Sequence, residues 1–413
     1  MQKVVHLGAL AALLFLLTSS IPLQAQQPKS DRGRPWKRYT IDDTTRGADG
    51  ARLADVNGDK LPDIATGFEE GGQVRVSLHP GYKKVRAKWP SVLVGKVKSP
   101  EDAVFVDLDN DGALDVVSAC EGRTMQMFAH WAPNEPKKYL DPSAWKTQTF
   151  PAVAKTTRWM FATPMQIDQK LGLDLVVGSK DPKGQVGWLQ APKQPRLLGD
   201  WKYHPVYRAG WIMSLIAADM DGDKDLDVLV SDRRGKDRGC LWLENPGPGP
   251  KQTKPWKQRR IGPKGGEVMF VELADLDRDG RQDVIAPHHN HRLFVHWGGK
   301  TANEWKTTEI QFPKKTGTGK AVRVADVNLD GKLDIVLACA GANKGSGIVW
   351  LSYRKSPHDA VWDVHEISGL LGIKFDLNQL ADLDGDGDLD IINTEERTNR
   401  GGLGVVWYEN PTK

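Results

Sequence analysis

Apolar residues in this chain come in short runs, not in the long stripes of amphipathic helices. "LDVLVS" (226–231) and "LDIVLA" (333–338) are nearly continuous apolar segments of strand length. A polar turn follows, and then a segment that often carries tryptophan: "GQVGWLQAP" (184–192), "GCLWLENP" (239–246), "GIVWLSY" (347–353) and "GVVWYENP" (404–411). Next comes a segment opening on tryptophan, at 36–41, 89–94, 145–150, 201–206, 256–261, 305–310 and 362–367. In most of these, as in "WKTTEI" (305–310), polar and apolar residues alternate, as in a half-exposed strand. A further apolar segment precedes each unit across an aspartate-rich loop, so one unit holds four strands.

The aspartate-rich loop sets the count. It reads "ADVNGDKLPD" (54–63), "VDLDNDGALD" (106–115), "ADMDGDKDLD" (218–227), "ADLDRDGRQD" (274–283), "ADVNLDGKLD" (325–334) and "ADLDGDGDLD" (381–390), with a worn copy, "MQIDQKLGLD", at 165–174. The copies are spaced 51 to 59 residues apart. A fixed period of this size marks a repeat architecture. Four antiparallel strands repeated seven times predict an all-β, seven-bladed β-propeller, because a ring leaves only short, protected edges where an open array would leave long bare ones. The first "WKRYTI" precedes the first loop, and the last unit lacks its own outer strand. Residues 36–41 are therefore expected to pair with 404–409 and complete the last blade.

Like charges packed this closely repel, so the loops need a counter-ion. The spacing D-x-[DN]-x-D-x-x-x-D brings together side chains from positions 1, 3, 5 and 9. The expected ligands are Asp55, Asn57, Asp59 and Asp63; Asp107, Asp109, Asp111 and Asp115; Asp219, Asp221, Asp223 and Asp227; Asp275, Asp277, Asp279 and Asp283; Asp326, Asn328, Asp330 and Asp334; and Asp382, Asp384, Asp386 and Asp390. All-oxygen sets rich in carboxylates suit Ca²⁺, which accepts six to eight oxygens in flexible geometry. Softer metals want His or Cys, and these loops have neither. Glycine at position 4 or 6 allows the tight bend. Six structural Ca²⁺ sites are expected, one in every blade except the third. There Gln166, Asp168, Lys170 and Asp174 replace the ligand set, and Lys170 is expected to pair with Asp168 or Asp174. The alternative for any single loop is a solvated turn.

Composition adds the setting. Gly (42) and Pro (25) suit many short strands joined by turns. The apolar run Val4–Leu17 after Lys3, followed by small and polar residues, has the layout of a secretory signal peptide (1–25) with cleavage after Ala25. Residues 26–35 read as a linker and 36–413 as the propeller. The run is shorter than a membrane span, which disfavours an uncleaved anchor, and no later stretch is apolar enough to cross a bilayer. A secreted or periplasmic monomer is expected. Cys120, Cys240 and Cys339 make an odd count and read as small core residues, so metal ions take the place of a disulfide framework.

The six loops resemble the FG-GAP/VCBS-type repeat family, the calcium-bearing propeller of integrin α-subunits and of many exported bacterial proteins. The resemblance covers residues 36–413. It implies a calcium-binding propeller, and a role in adhesion, glycan binding or, in some related propellers, polysaccharide cleavage.

Charge indicates a partner. Twenty-two of the 53 acidic residues are loop ligands, leaving 31 against 57 basic ones. A cationic surface favours an anionic polysaccharide or cell-surface partner, with plain solubility as the alternative. No nucleic-acid motif is present. The face opposite the loops is expected to collect "DRRGKDR" (232–238), "HHNH" (288–291), "EERTNR" (395–400), "FPKKTGTGK" (312–320) and "KTTRW" (155–159), with no matching number of acids. Thirteen of the 15 tryptophans belong to third and outer strands, leaving Trp159 and Trp211 over. Beside Arg158, Tyr207 and Arg208 they form a candidate platform for an acidic sugar, or else packing in the channel. Arg233, His288, His289 and His291 complete the candidate ligand-binding set, the histidines having a solvated turn as their alternative. An enzymatic reading would use Arg158, Arg208 or Arg233 against a uronate in a lyase, with His288 or Tyr207 as base, or Glu395 and Glu396 in a hydrolase, although consecutive residues on an extended segment point apart.

Overall fold

The computed structural model describes residues 32–170, 172–396 and 402–413, so the expected signal peptide (1–25) and most of the expected linker lie outside the described residues. Within them the chain folds as seven four-stranded antiparallel sheets arranged as blades. Blade one consists of Ala48–Ala54, Asp63–Phe68, Gln73–Ser77 and Ser91–Lys96, and the later blades repeat that order. The first strand of each blade is innermost, and inner strands of neighbouring blades touch around the axis. The aspartate-rich loops join first to second strands and therefore gather at one end of the channel. The inner strands begin at the other end, called here the axial mouth.

Ring closure follows the expected pairing. Lys37–Asp42 forms the outer strand of blade seven, with Lys37 opposite Glu409, Tyr39 opposite Trp407 and Asp42 opposite Val405. Tyr39 stacks on Trp407 at 4.9 Å between ring centroids, its hydroxyl donates to Glu409 at 2.8 Å, and Ile41 is fully buried. Asp42 then reaches into blade one, where it accepts from Arg75 at 2.7 Å.

The core lies between blades. One cluster joins Ile41, Leu383, Ile392 and Trp407 of blade seven to Ile64, Phe68 and Trp89 of blade one. The outer-strand tryptophans have a second task. The indole N–H groups of Trp89, Trp145, Trp201, Trp256, Trp305 and Trp362 donate to backbone carbonyls of the preceding loop at 2.8 to 3.0 Å. Each pins the connection from third to fourth strand. Cys120, Cys240 and Cys339 are free and buried, as small core residues. No helix among the described residues is long and apolar enough to cross a membrane.

Candidate functional site

The six intact loops share one conformation. In blade one, Asp55 Oδ1 accepts from the N–H groups of Gly58 (2.8 Å) and Asp59 (3.1 Å), and Oδ2 from Lys60 (2.8 Å). Asp107, Asp219, Asp275, Asp326 and Asp382 wrap their loops in the same way. Positions 4 and 6 are both left-handed in all six, with φ from 56° at Leu329 to 90° at Gly112 and Gly387. Each loop has glycine at one or both, so at most one residue bears the steric cost.

The carboxylates converge. One oxygen each from Asp107, Asp109 and Asp111 lies within 4.8 Å of the others, and the same holds for Asp219, Asp221 and Asp227. Buried oxygens of Asp225, Asp334, Asp384 and Asp388 have no hydrogen-bond partner. Orphaned buried carboxylate oxygens in an all-oxygen cage fit Ca²⁺. Asp225 and Asp388, at position 7, are additional candidate ligands; their signal was the extra acid in "DGDKDLD" and "DGDGDLD". Basic side chains also reach these loops: Arg86 lies 2.6 Å from Asp384, His358 3.0 Å from Asp277, and Arg196 3.0 Å from Asp111.

The ninth-position aspartate has a role that the spacing did not reveal. Asp63 accepts from the Val56 N–H at 3.0 Å and, across the blade, from His79 at 2.8 Å. Asp115, Asp227, Asp283 and Asp390 make the same pair of bonds, to position 2 and to the end of the third strand. So does Asp174, to Ile167 and Ala191, in the worn loop. This aspartate stitches loop to sheet whether or not its neighbours are acidic. In the worn loop Lys170 pairs with Asp168 at 2.9 Å and not with Asp174, while the Gln166 amide donates to the Lys170 and Gly172 carbonyls.

The axial mouth corrects the expected surplus of arginine and histidine over acids. Asp49, Glu101 and Asp376 stand at the starts of inner strands, and Glu69, Glu70, Glu121 and Glu396 follow second strands. One or two acids per segment make no long run in the sequence; only the ring gathers them. Lys320 and Lys374 answer Asp376 (2.7 Å) and Glu396. Burial, with Glu396 and Asp376 nearby, pushes the Asp49 carboxyl well above its usual range, and burial raises Glu101 to about 7 and Glu396 to about 8. Burial opposes the charge of Lys320, but Asp376, Glu396 and Asp49 still hold its pKa above the usual lysine value. Glu395 and Glu396 do diverge. Glu395 accepts from the N–H groups of Ile373, Lys374 and Leu403, and Glu396 turns toward Lys374. Residues 397–400 of the "EERTNR" segment lie outside the described residues.

The candidate platform divides. Trp159 is fully buried among blades two and three, donates to the Val153 carbonyl at 3.0 Å and packs edge-on against Tyr203, so it offers no surface to a ligand. Trp211 is half-buried, but its ring already carries Lys180 (4.3 Å to the centroid), Arg233 (4.6 Å) and Arg234 (4.6 Å). It supports cations and is not a bare platform. Tyr207 is buried and donates to Asp232 at 3.2 Å, and that carboxylate also accepts from the backbone of Gly210 and Trp211. Burial and the Asp232 charge raise the Tyr207 pKa further, so it is not a base at neutral pH. His288 is also buried, its pKa lowered to about 4 by burial and Arg292. His289 lies 3.7 Å from Glu267, which holds Arg233 at 2.9 Å. His291 is exposed, against Phe312. Arg158 and Arg208 are both exposed, but they begin the innermost strand and end the outermost strand of blade three, with two strands between them, so they do not form one patch. Thus Trp211, Arg233 and His289 come together; Trp159, Tyr207 and His288 are interior. Lys180, Arg234 and Glu267 belong to the cluster and gave no separable signal in the sequence.

Comparisons agree with this architecture. The FG-GAP-like repeat model matches residues 55–118 and 275–337, each stretch spanning two consecutive aspartate loops. No curated protein sequence matches the chain. Among solved structures, one described as BBS1N in complex with ARL6DN, soaked with lead, aligns over 90% of this chain and 95% of its own at 11% identity and a TM-score of 0.51. Saccharomyces cerevisiae Sqt1 aligns over 92% of this chain and 100% of its own, at 11% identity and a TM-score of 0.50. At that identity the likeness concerns the fold alone. The chain is a seven-bladed β-propeller carrying FG-GAP-like repeats in two regions, one across blades one and two and one across blades five and six.

Proposed function

We propose that this protein is an exported, calcium-stabilised binding module that takes an anionic glycan or an anionic cell-surface partner at the cationic cluster around Trp211, where the inner strand of blade four begins. An FG-GAP propeller suggests a binding module, and the N-terminal sequence supports export. Six loops of one backbone conformation, with carboxylates converging in those of blades two and four, support calcium as the staple. The ligand class rests on one observation: Arg233 and Arg234, with Lys180, converge on the Trp211 ring, and Arg158 is exposed opposite Lys180 on the adjoining strand. Guanidinium groups held over an indole are pre-organised for carboxylate or sulfate.

The lyase alternative gains no support, since its bases, His288 and Tyr207, are both interior. The test is retention of the protein on immobilised acidic polysaccharides in calcium, with released products assayed alongside. Retention without new reducing ends or unsaturated product is expected, and R233A/R234A should weaken it by tenfold or more. Equal retention of that variant, or none by the wild type on any acidic polymer, would overturn the ligand assignment.

A further inference from the structure

The lysines at the axial mouth are committed elsewhere. Lys320 pairs with Asp376 at 2.7 Å, Lys374 with Glu396, and Lys180 with Glu121. Among the described residues this leaves Asp49, Glu69, Glu70 and Glu101 without an ion pair, and one carboxylate oxygen from each of Asp49, Glu69 and Glu101 lies within 4.8 Å of the other two. Asp49 is the hub, because it stands equally close to Asp376 and Glu396. It is only 5% exposed, and among the described residues no donor bonds to its side chain. Around it, Asp376 Oδ1 and Glu396 Oε2 are buried and have no donor. A buried carboxylate with neither donor nor counter-ion is costly, by several kcal/mol. The fold nevertheless builds this one at the convergence of three blades.

We infer that Asp49, Glu69 and Glu101 bind a divalent cation of calcium's class at the axial mouth, a site separate from the aspartate loops at the other end of the channel. The donors are oxygens only, with no His or Cys among them, which selects a hard cation. Asp49 comes from an inner strand, Glu69 from a turn of the same blade and Glu101 from the next inner strand, so an ion there ties blade one to blade two. Asp376 and Glu396 form an outer shell, already anchored by their lysines. Glu69 and Glu101 are half-buried, so the remaining coordination positions open toward solvent at the mouth. The ion's presence does not depend on what the partner is.

Calcium bound per chain, counted by native mass spectrometry on the full-length protein, tests the site. Glu69→Gln with Glu101→Gln should carry one ion fewer than wild type. Asp326→Asn with Asp330→Asn should also lose one, from its own loop, and the two pairs combined should lose two. Because Glu69 and Glu101 are half-buried, their amide variants keep the fold. An equal ion count in wild type and the Glu69/Glu101 variant overturns the site, whatever the loops bind. Asp49→Asn supplies a second measurement. It removes one ionisable ligand while keeping the side chain's shape, so it should reduce the upward Tm shift that calcium produces; an unchanged calcium-induced shift sinks the inference.

Discussion

A carboxylate in these loops does one of two jobs, and position decides which. Asp174 persists in a loop that has lost two of its acids because it accepts backbone N–H groups, chiefly from Ile167 at 3.0 Å and Ala191 at 2.9 Å, with Asp168 at 3.3 Å. Replacing it with alanine strands two buried donors, at about 1–3 kcal/mol each. Asp174→Ala should therefore destabilise by about 2–5 kcal/mol in calcium and in EDTA alike, measured by denaturant unfolding. Asp330 is exposed and bonds only within its own loop. Asp330→Ala should matter in calcium and little in EDTA. Equal losses for the two variants in EDTA would dissolve the distinction. Trp159→Ala belongs at this scale as well. Deleting a fully buried indole costs about 3–5 kcal/mol, yet retention of the folded variant on acidic polymer should equal wild type.

Among the elements, the closing strand Lys37–Asp42 carries the heaviest duty. It covers the edge of Gly404–Glu409, buries Ile41, stacks Tyr39 on Trp407 and sends Asp42 across to Arg75 of blade one. Deleting residues 26–42 uncovers that edge and severs the buried pair, which leaves an arginine without its partner. Tm should fall by far more than for an ordinary frayed terminus; an unchanged Tm would mean the ring is not closed by this strand. The outer-strand tryptophans act similarly within blades. Their N–H bonds to the preceding loop explain why a tryptophan opens a strand that is otherwise half-exposed.

For the molecule as a whole, the ring concentrates like charge at both ends of one channel. Six buried ninth-position aspartates are pushed above the usual carboxylate range by desolvation: Asp63 and Asp283 to about 6, Asp227, Asp334 and Asp390 to about 7, and Asp115 to about 8. In chelator the unfolded chain ionises these groups first. The contribution of these six groups to ion-free stability should be greatest below the ordinary carboxylate pKa and fall as pH rises toward about 8. Calcium favours the ionised form and should reverse that slope. Melting curves at pH 5 and pH 8, with EDTA and with calcium, check the sign. At calcium 100-fold above Kd, one site contributes about 2.7 kcal/mol. A Tm indifferent to EDTA would remove calcium from the account.

The sequence alone determined the blade count, the four strands of each blade, the closing pair and the aspartate loops. These depend on local, repeated chemistry: period-two alternation, glycine at left-handed positions and fixed ligand spacing. Tertiary structure decided everything at the axial mouth. Asp49, Glu69, Glu101, Asp376 and Glu396 are scattered over nearly 350 residues, and no local pattern connects them. A bulge in the pairing beyond Trp159, and that residue's packing between two blades, made a tryptophan that looked spare part of the core. Trp211 acquired its three cations from two different blades. Repeats are written along the chain, but the surface at their axis exists only once the ring has closed.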